Sequence, residues 1–396
     1  MWQDLFARSV ASGAGNEITA ILSQAGDDRI IAFSGGYPHP DTFPRKALEQ
    51  SFSRVVADPA ALQYAPTAGL PGLRDWFTGW LGEHDGLRPA EDEFIITSGG
   101  MEGLKLLTAC LLDPGDRVLV EGPTFMGAIM AIQSAMGVIE AVPMDSGGLD
   151  VDALERVLSS SPSAKFLYVI PDYQNPMGVS LSAERRHALI ALARRHGLLI
   201  IEDVAYRELG YDGDRRPSLR TLGPDVVAQL GTFSKTFSPG LRMGWISAPA
   251  PLVAALSGAK QFTDQCTGAL GQLLLEDYGR SGGFDDGIAA SRAFYRRRRE
   301  AMLSALDAHL PEWVRFTRPE GGFFSWLTVP DAIDTLTLAE RALADGITFV
   351  PGGIFYPGDR GAHELRLAFS KVPEEKIDEG IVRLGKILSN FDRKGQ

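Results

Sequence analysis

Between about residue 90 and residue 235, short β-branched runs alternate with stretches of helical periodicity, and no other feature restricts the fold as strongly. Phe94–Thr97, Val118–Glu121, Phe166–Ile170, Leu198–Glu202 and Val226–Leu230 read as strands. Amphipathic segments lie between them, such as Ala183–His196 with apolar residues at Ala188, Leu189, Leu192 and Ala193. The alternation predicts an α/β protein with a mostly parallel sheet flanked by helices. Ligands of such sheets bind beyond the carboxyl ends of the strands, and the polar signals gather there. Thr97-Ser98-Gly99-Gly100 follows the first strand, Gly122–Phe125 the second, Asp172–Asn175 the third, Asp203–Tyr206 the fourth and Thr232–Lys235 the fifth.

A chain of 396 residues exceeds one simple core. After about residue 285 the pattern changes to a long helical stretch, the strand-like run Gly321–Leu327, a helix over Leu336–Ala344, a loop, a strand over Glu364–Phe369 and a last helix. We therefore expect an N-terminal arm over residues 1–35, a large domain over 36–285 and a smaller α/β domain over 286–396.

Charge and composition exclude several functions. Fifty acidic residues against 39 Lys and Arg give a net charge of −11, which repels phosphate backbones and predicts no nucleic-acid partner. Two cysteines, Cys110 and Cys266, cannot build a disulfide framework or a four-ligand zinc site. The N-terminus lacks the basic and apolar blocks of a signal peptide, and the apolar runs are too short for a membrane span. A cytoplasmic protein with no membrane contact is the expectation. His187 and His196 fall on opposite faces of one helix, so no metal pair is expected, and Arg296–Arg299 reads as a solvated helix face with Glu300.

The chemistry-bearing residues sit at the strand ends. Lys235 lies in Gly231-Thr-Phe-Ser-Lys-Thr-Phe-Ser-Pro-Gly-Leu-Arg242, ringed by hydroxyls and glycines. Arg242 can grip a phosphate through two parallel hydrogen bonds, and positive charge with desolvation would lower the Lys235 pKa. Ser98–Gly103 runs from a strand into a helix expected near Leu104, where unhindered amides can cradle a phosphate. Arg366 stands in an apolar strand and needs an anion, from a ligand or an internal ion pair. Asp203 also suits a helix N-cap, and Asn175-Pro176 suits a plain turn.

Thr232-Phe-Ser-Lys235 followed by Pro239-Gly-Leu-Arg-Met-Gly244 resembles the lysine motif of fold type I class I/II aminotransferases. The likeness is closest to the aminoadipate, kynurenine and multisubstrate branch and runs over nearly the whole chain. Its other landmarks are Ile31–Pro38, Leu62–Gly69, Pro319–Phe323 and Val350–Gly352. The resemblance implies a pyridoxal 5′-phosphate cofactor held as a Schiff base on Lys235, with Asp203 at its ring nitrogen and Tyr206 and Asn175 at its ring hydroxyl. It implies phosphate contacts from Ser98, Gly99, Gly100, Met101, Thr232, Ser234 and Arg242, and ring stacking by Phe125. Tyr64 would reach the phosphate from the neighbouring subunit of a homodimer. Arg366 would bind the substrate carboxylate, with Asn175, Gly36 and Tyr37 beside it. The chain departs from the family at Gly100-Met101-Glu102, often Ser-Gln-Gln, and at Phe125, often Tyr. Glu102 is expected to point away from the phosphate.

The implied reaction moves an amino group between a small-molecule α-amino acid and a 2-oxo acid, with Lys235 as the base and the cofactor as electron sink. The same scaffold also supports β- or γ-elimination, replacement and decarboxylation. A regulator's effector domain is a distant alternative, disfavoured by the 30 or so residues before Phe33. A nucleotide-dependent oxidoreductase would need a glycine fingerprint that is missing. Tyr37, Phe125, Phe355 and Tyr356 suggest an aromatic pocket, and Thr19 stands where some relatives have an arginine for a distal carboxylate. Both favour a neutral or hydrophobic amino acid.

Overall fold

The continuous apolar runs of the first half form strands buried on both faces, as a sheet covered by helices on each side requires. The computed structural model describes residues 2, 5–7, 29–160, 163–212 and 215–392. Its strands are β1 (Ile31–Ala32), β2 (Phe94–Thr97), β3 (Arg117–Gly122), β4 (Val138–Asp145), β5 (Gly148–Leu149), β6 (Phe166–Val169) and β7 (Leu199–Asp203). They continue with β8 (Val227–Thr232), β9 (Gly244–Ser247), β10 (Arg315–Phe316), β11 (Phe324–Thr328), β12 (Ile347–Thr348), β13 (Val350–Pro351) and β14 (Glu364–Ala368).

An eight-stranded sheet has the order β2-β9-β8-β7-β6-β3-β4-β5. From β8 through β4 it is parallel, as the alternation predicts. One side is covered by a core including Leu104, Leu107, Ile132 and Val253, the other by one including Leu154, Leu189, Leu192 and Leu219. The five expected strands and the helix Ala183–His196 are present.

Strand β9 was not foreseen, and it shapes the site. It runs antiparallel between β2 and β8, with Gly244 opposite both Thr97 and Thr232. The loop carrying Lys235 and Arg242 is thereby folded back beside the segment that follows β2. A Cβ on Gly244 would stand 2.7 Å from the Gly99 carbonyl carbon, so the close approach depends on glycine.

A second, antiparallel sheet has the order β10-β11-β14-β13. Arg366 on β14 stands opposite Trp326 and Val350. The helix Gly283–His309, about 40 Å long, packs with Glu374–Asp392 against this sheet in a core that also takes in Tyr206, Leu209 and Tyr211. Of the expected N-terminal arm, Thr19 and most other residues lie outside the described ones; β1 pairs in parallel with β12.

Two expectations are corrected. The helix after β2 begins at Gly100, a full turn before Leu104, because Gly99 caps it at φ 90. Arg296–Arg299 is a solvated face only in part: Arg296, Arg297 and Glu300 are exposed, and the other two arginines turn inward. Arg298 is 6% exposed, stacks on Phe294 at 3.7 Å and donates to the Val372 carbonyl, while Arg299 pairs with Asp212 at 2.5 Å. Among the described residues no helix is long and apolar enough to cross a membrane.

Candidate active site

The carboxyl ends of β2, β3, β6, β7 and β8 open on one cavity of about 280 Å3. Lys235, Asp203, Tyr206, Asn175, Arg366 and Arg242 all line it, as do Gly36, Tyr37, Gly100, Met101, Phe125, Thr232 and Ser234. These residues span positions 36 to 366, and only the fold brings them together.

Lys235 is half-buried, and its amine donates to the Gly36 carbonyl at 3.0 Å. Burial, then the charges of Arg366 and Arg242, push its pKa down to about 8. The neutral amine that a nucleophile or base requires is therefore a minor but far larger fraction near physiological pH than in an ordinary lysine. Gly36 is tightly placed, since an added Cβ would lie 2.7 Å from the Phe324 ring.

Asp203 ends β7 and is buried. Its Oδ1 accepts from the Ala205 amide at 3.0 Å and its Oδ2 from the Tyr168 hydroxyl at 2.6 Å. Burial raises its pKa, while Tyr168, the Ala205 amide and Lys235 pull it back. Tyr206 is also buried, 5.8 Å from the Lys235 amine by its ring centroid, and hydrogen-bonds Asn175.

Arg366 is 2% exposed, yet its hydrogen bonds go to neutral oxygens, Asn175 Oδ1 at 2.9 Å and Ser34 O at 2.8 Å. Its Nε has no partner among the described residues. Its guanidinium lies over the Phe324 and Phe355 rings, at 4.3 and 4.9 Å. Burial pushes its pKa down to about 10, which leaves it cationic at neutral pH. A buried cation of this kind calls for an anion from outside the protein.

At the opposite end, Arg242 adopts φ 51 and donates to the Pro239 carbonyl at 3.1 Å and to Ser234 Oγ at 3.5 Å. A non-glycine residue held in the left-handed region is sterically disfavoured and marks a constrained site. The guanidinium packs so closely on Gly99, itself at φ 90, that an added Cβ would lie 2.5 Å from Nη2. Thr232 donates to Ser234 at 2.9 Å. Arginine, hydroxyls and the first amides of the helix at Gly100 together suit an anion.

The donor set fits pyridoxal 5′-phosphate. It offers an amine of lowered pKa, a buried carboxylate, a phenol joined to an amide, and separate cations for a phosphate and a carboxylate. Some expected residues stand elsewhere. Ser98 and Gly99 do not line the cavity: the Ser98 amide donates to Glu102 at 2.5 Å and its hydroxyl to Asp264 at 2.5 Å. Glu102 points away, as expected, to Lys260 at 2.8 Å. Tyr64 is 76% exposed and outside the cavity. Phe355 and Tyr356 do not line it either, because Phe355 is fully buried beneath Arg366 and Tyr356 is drawn to Glu364. Tyr168 escaped the sequence reading, although a tyrosine inside an otherwise apolar strand signals a buried hydroxyl in need of a partner. No group of three His, Cys, Asp or Glu residues suited to a metal occurs among the described residues.

Known proteins agree with this geometry. The family model for aminotransferase class I and II matches residues 29–384. A 2-aminoadipate transaminase of Thermus thermophilus is 37% identical over 98% of both chains. Aromatic-amino-acid aminotransferase 1 of Thermococcus litoralis is 35% identical over 99% of this chain and 96% of its own. The multiple substrate aminotransferase of Thermococcus profundus superimposes with a TM-score of 0.95 at 35% identity, covering 99% of both chains. The α-aminoadipate aminotransferase of T. thermophilus, complexed with N-(5′-phosphopyridoxyl)-L-leucine, gives a TM-score of 0.92 at 36% identity over the full length of both. The chain therefore belongs to the class I and II aminotransferases, in their aminoadipate, kynurenine and multisubstrate branch, and is a pyridoxal 5′-phosphate enzyme that moves amino groups between amino acids and 2-oxo acids.

Proposed function

We propose that Lys235 anchors the cofactor and moves the substrate proton, and that the preferred substrates are neutral or hydrophobic amino acids. One observation carries this reading: an amine of lowered pKa and a buried, acid-free Arg366 face the same cavity. When bound, the cofactor acts as the electron sink.

The residues divide the remaining work. Arg366 takes the α-carboxylate and, with the Gly36 backbone and Asn175, orients the Cα–H bond towards the Lys235 amine. Lys235 removes the proton from Cα and returns it on the other side of the reaction. Asp203, as a carboxylate, would hold a proton on the cofactor's ring nitrogen, and Tyr206 and Asn175 would hydrogen-bond its phenolic oxygen. Arg242, Ser234, Thr232 and the amides of Gly100 and Met101 would hold the phosphate, with Ser98 and Gly99 shaping the turn behind them. Phe125 would cover the ring face. Tyr37 stands at the cavity mouth, 47% exposed. In a homodimer, Tyr64 would complete the phosphate site of the partner subunit.

For the substrate side chain the cavity offers Leu104, Phe125, Met126 and Ile170, and its cations, Lys235, Arg242 and Arg366, are committed elsewhere. A wall of this kind favours apolar side chains over a second carboxylate. A panel of amino donors and 2-oxo acceptors tests the reading: leucine, methionine or phenylalanine should exceed glutamate and aminoadipate in kcat/KM. The reverse order would overturn the substrate assignment.

A further inference from the structure

The Asp203 carboxylate is held by two donors, and only one of them is a side chain. Tyr168 lies on β6, beside β7, and its hydroxyl donates to Asp203 Oδ2 at 2.6 Å, shorter than an ordinary neutral hydrogen bond. Tyr168 is 0% exposed and Asp203 7%, so water does not substitute for either group. With Oδ1 engaged by the Ala205 amide, the carboxylate is fixed at both oxygens.

A second buried carboxyl stands nearby. Glu121 lies near the end of β3, on the other side of β6, and its Oε2 accepts from the Ile170 amide at 3.0 Å and from Gln174 at 3.2 Å. Burial pushes its pKa up to about 8, with the Asp203 charge adding to the rise, so at neutral pH Glu121 is mainly the uncharged acid. Tyr168 from β6, Glu121 from β3, and Lys235 and Tyr206 around the cavity thus surround Asp203, and of these Tyr168 and Lys235, with the Ala205 amide, favour its charged form. Burial opposes ionisation of Asp203, and the Tyr168 hydroxyl is the main counterweight.

We propose that Tyr168 is a positioning residue for transamination, whose hydroxyl keeps Asp203 ionised and turned towards the cofactor's ring nitrogen. This rests on the reading of Asp203 given above. A hydrogen bond to the charged form of a carboxyl favours that form. Without the phenol, the proton shared by the ring nitrogen and Asp203 shifts towards the carboxylate, and the ring withdraws electrons less strongly.

The test uses cofactor-loaded wild-type, Tyr168→Phe and Asp203→Asn enzymes, with cofactor content, kcat, and the pH midpoint of the visible absorbance change as readouts. Tyr168→Phe keeps the buried ring and should retain stoichiometric cofactor. We expect its absorbance midpoint to rise by about one pH unit and its kcat to fall about 10- to 100-fold, the loss common on removing an orienting partner. A purely structural role would leave the midpoint in place. Fluorotyrosine at position 168, a stronger donor of nearly the same shape, should lower the midpoint and keeps the proposal testable if the phenylalanine variant folds poorly. Unchanged midpoint and kcat in Tyr168→Phe, beside a crippled Asp203→Asn enzyme, would overturn the role of Tyr168 alone. An Asp203→Asn enzyme with normal spectrum and turnover would overturn the reading of Asp203, and this proposal with it.

Discussion

Arg366 and Arg207 are both buried arginines, 2% and 5% exposed, in opposite electrostatic settings. Arg207 is held by Asp85 and by Asp172 at 2.7 Å, and Asp172 is shared with Arg186 at 2.5 Å, so every charge in that network has an opposite neighbour. Among the described residues, Arg366 hydrogen-bonds only neutral oxygens and its Nε has no partner. Two lysines, Lys260 buried and Lys235 half-buried, repeat the contrast. Lys260 is paired with Glu102 and Asp264, both at 2.8 Å, whereas Lys235 has a backbone carbonyl. The difference separates cations that complete the fold from cations left waiting for a ligand. Burial alone does not make the distinction; the missing counter-charge does.

The largest effect should come from Lys235. Lys235→Ala is expected to lower kcat by a factor on the order of 10^4 or more, while far-UV circular dichroism remains that of the wild type. Substantial turnover in this variant would end the contrast between the two lysines. Next come the arginines, exchanged for methionine in parallel. Arg366→Met should cut kcat/KM by about 10^2- to 10^3-fold, with the stability of the apoenzyme unchanged or raised. Arg207→Met leaves Asp85 and Asp172 short of a counter-charge and should lose about 3–5 kcal/mol of stability in urea titrations. Equal destabilisation by both exchanges would show that the arginines do the same job.

A subtler test uses pH. The folded pKa of Lys235, about 8, lies below the ordinary lysine value of 10.5, so between these limits the unfolded chain binds more protons than the folded one. Apoenzyme stability, relative to a Lys235→Met control, should therefore rise from pH 8 to pH 10.5. The gain is at most about 3 kcal/mol and shrinks as water enters the cavity. A flat difference would show that the amine is not desolvated.

The sequence carried the strand ends because local patterns encode them: a run such as Phe166–Ile170 followed by a Pro-Asp-Tyr-Gln-Asn turn announces both a strand and its polar edge. It also carried the candidate site, whose chemistry is concentrated in a few motifs around Lys235, Asp203 and Arg366. It did not carry β9, because Gly244-Trp-Ile-Ser247 is too short for its alternation to stand out, and its pairing with β2 joins residues about 150 positions apart. The inward turn of Arg298 and Arg299 within the Arg296–Arg299 run was hidden for a related reason. A row of arginines looks solvated until Asp212, Phe294 and the Val372 carbonyl are brought to it by chain segments with no local signal. The Tyr168–Asp203 contact likewise exists only through the register of β6 and β7.

The smallest expected effect concerns Tyr64, which lies outside the cavity that Gly100, Met101, Thr232, Ser234 and Arg242 line. Within one chain this tyrosine is 76% exposed and has no task. If a homodimer brings it to the partner's phosphate, the chain's donors around Arg242 are an incomplete set, and the missing one is neutral. Losing a single neutral hydroxyl contact costs about 1 kcal/mol, so Tyr64→Phe should weaken cofactor affinity about fivefold and leave kcat of the saturated enzyme nearly intact. Equilibrium dialysis of the cofactor at protein concentrations above and below the dimer dissociation point would separate the two sources of affinity. The Tyr64 contribution should vanish on dilution, whereas that of Arg242 should persist. A Tyr64→Phe effect that survives in the monomer would place the residue in its own subunit's site and remove the need for a partner.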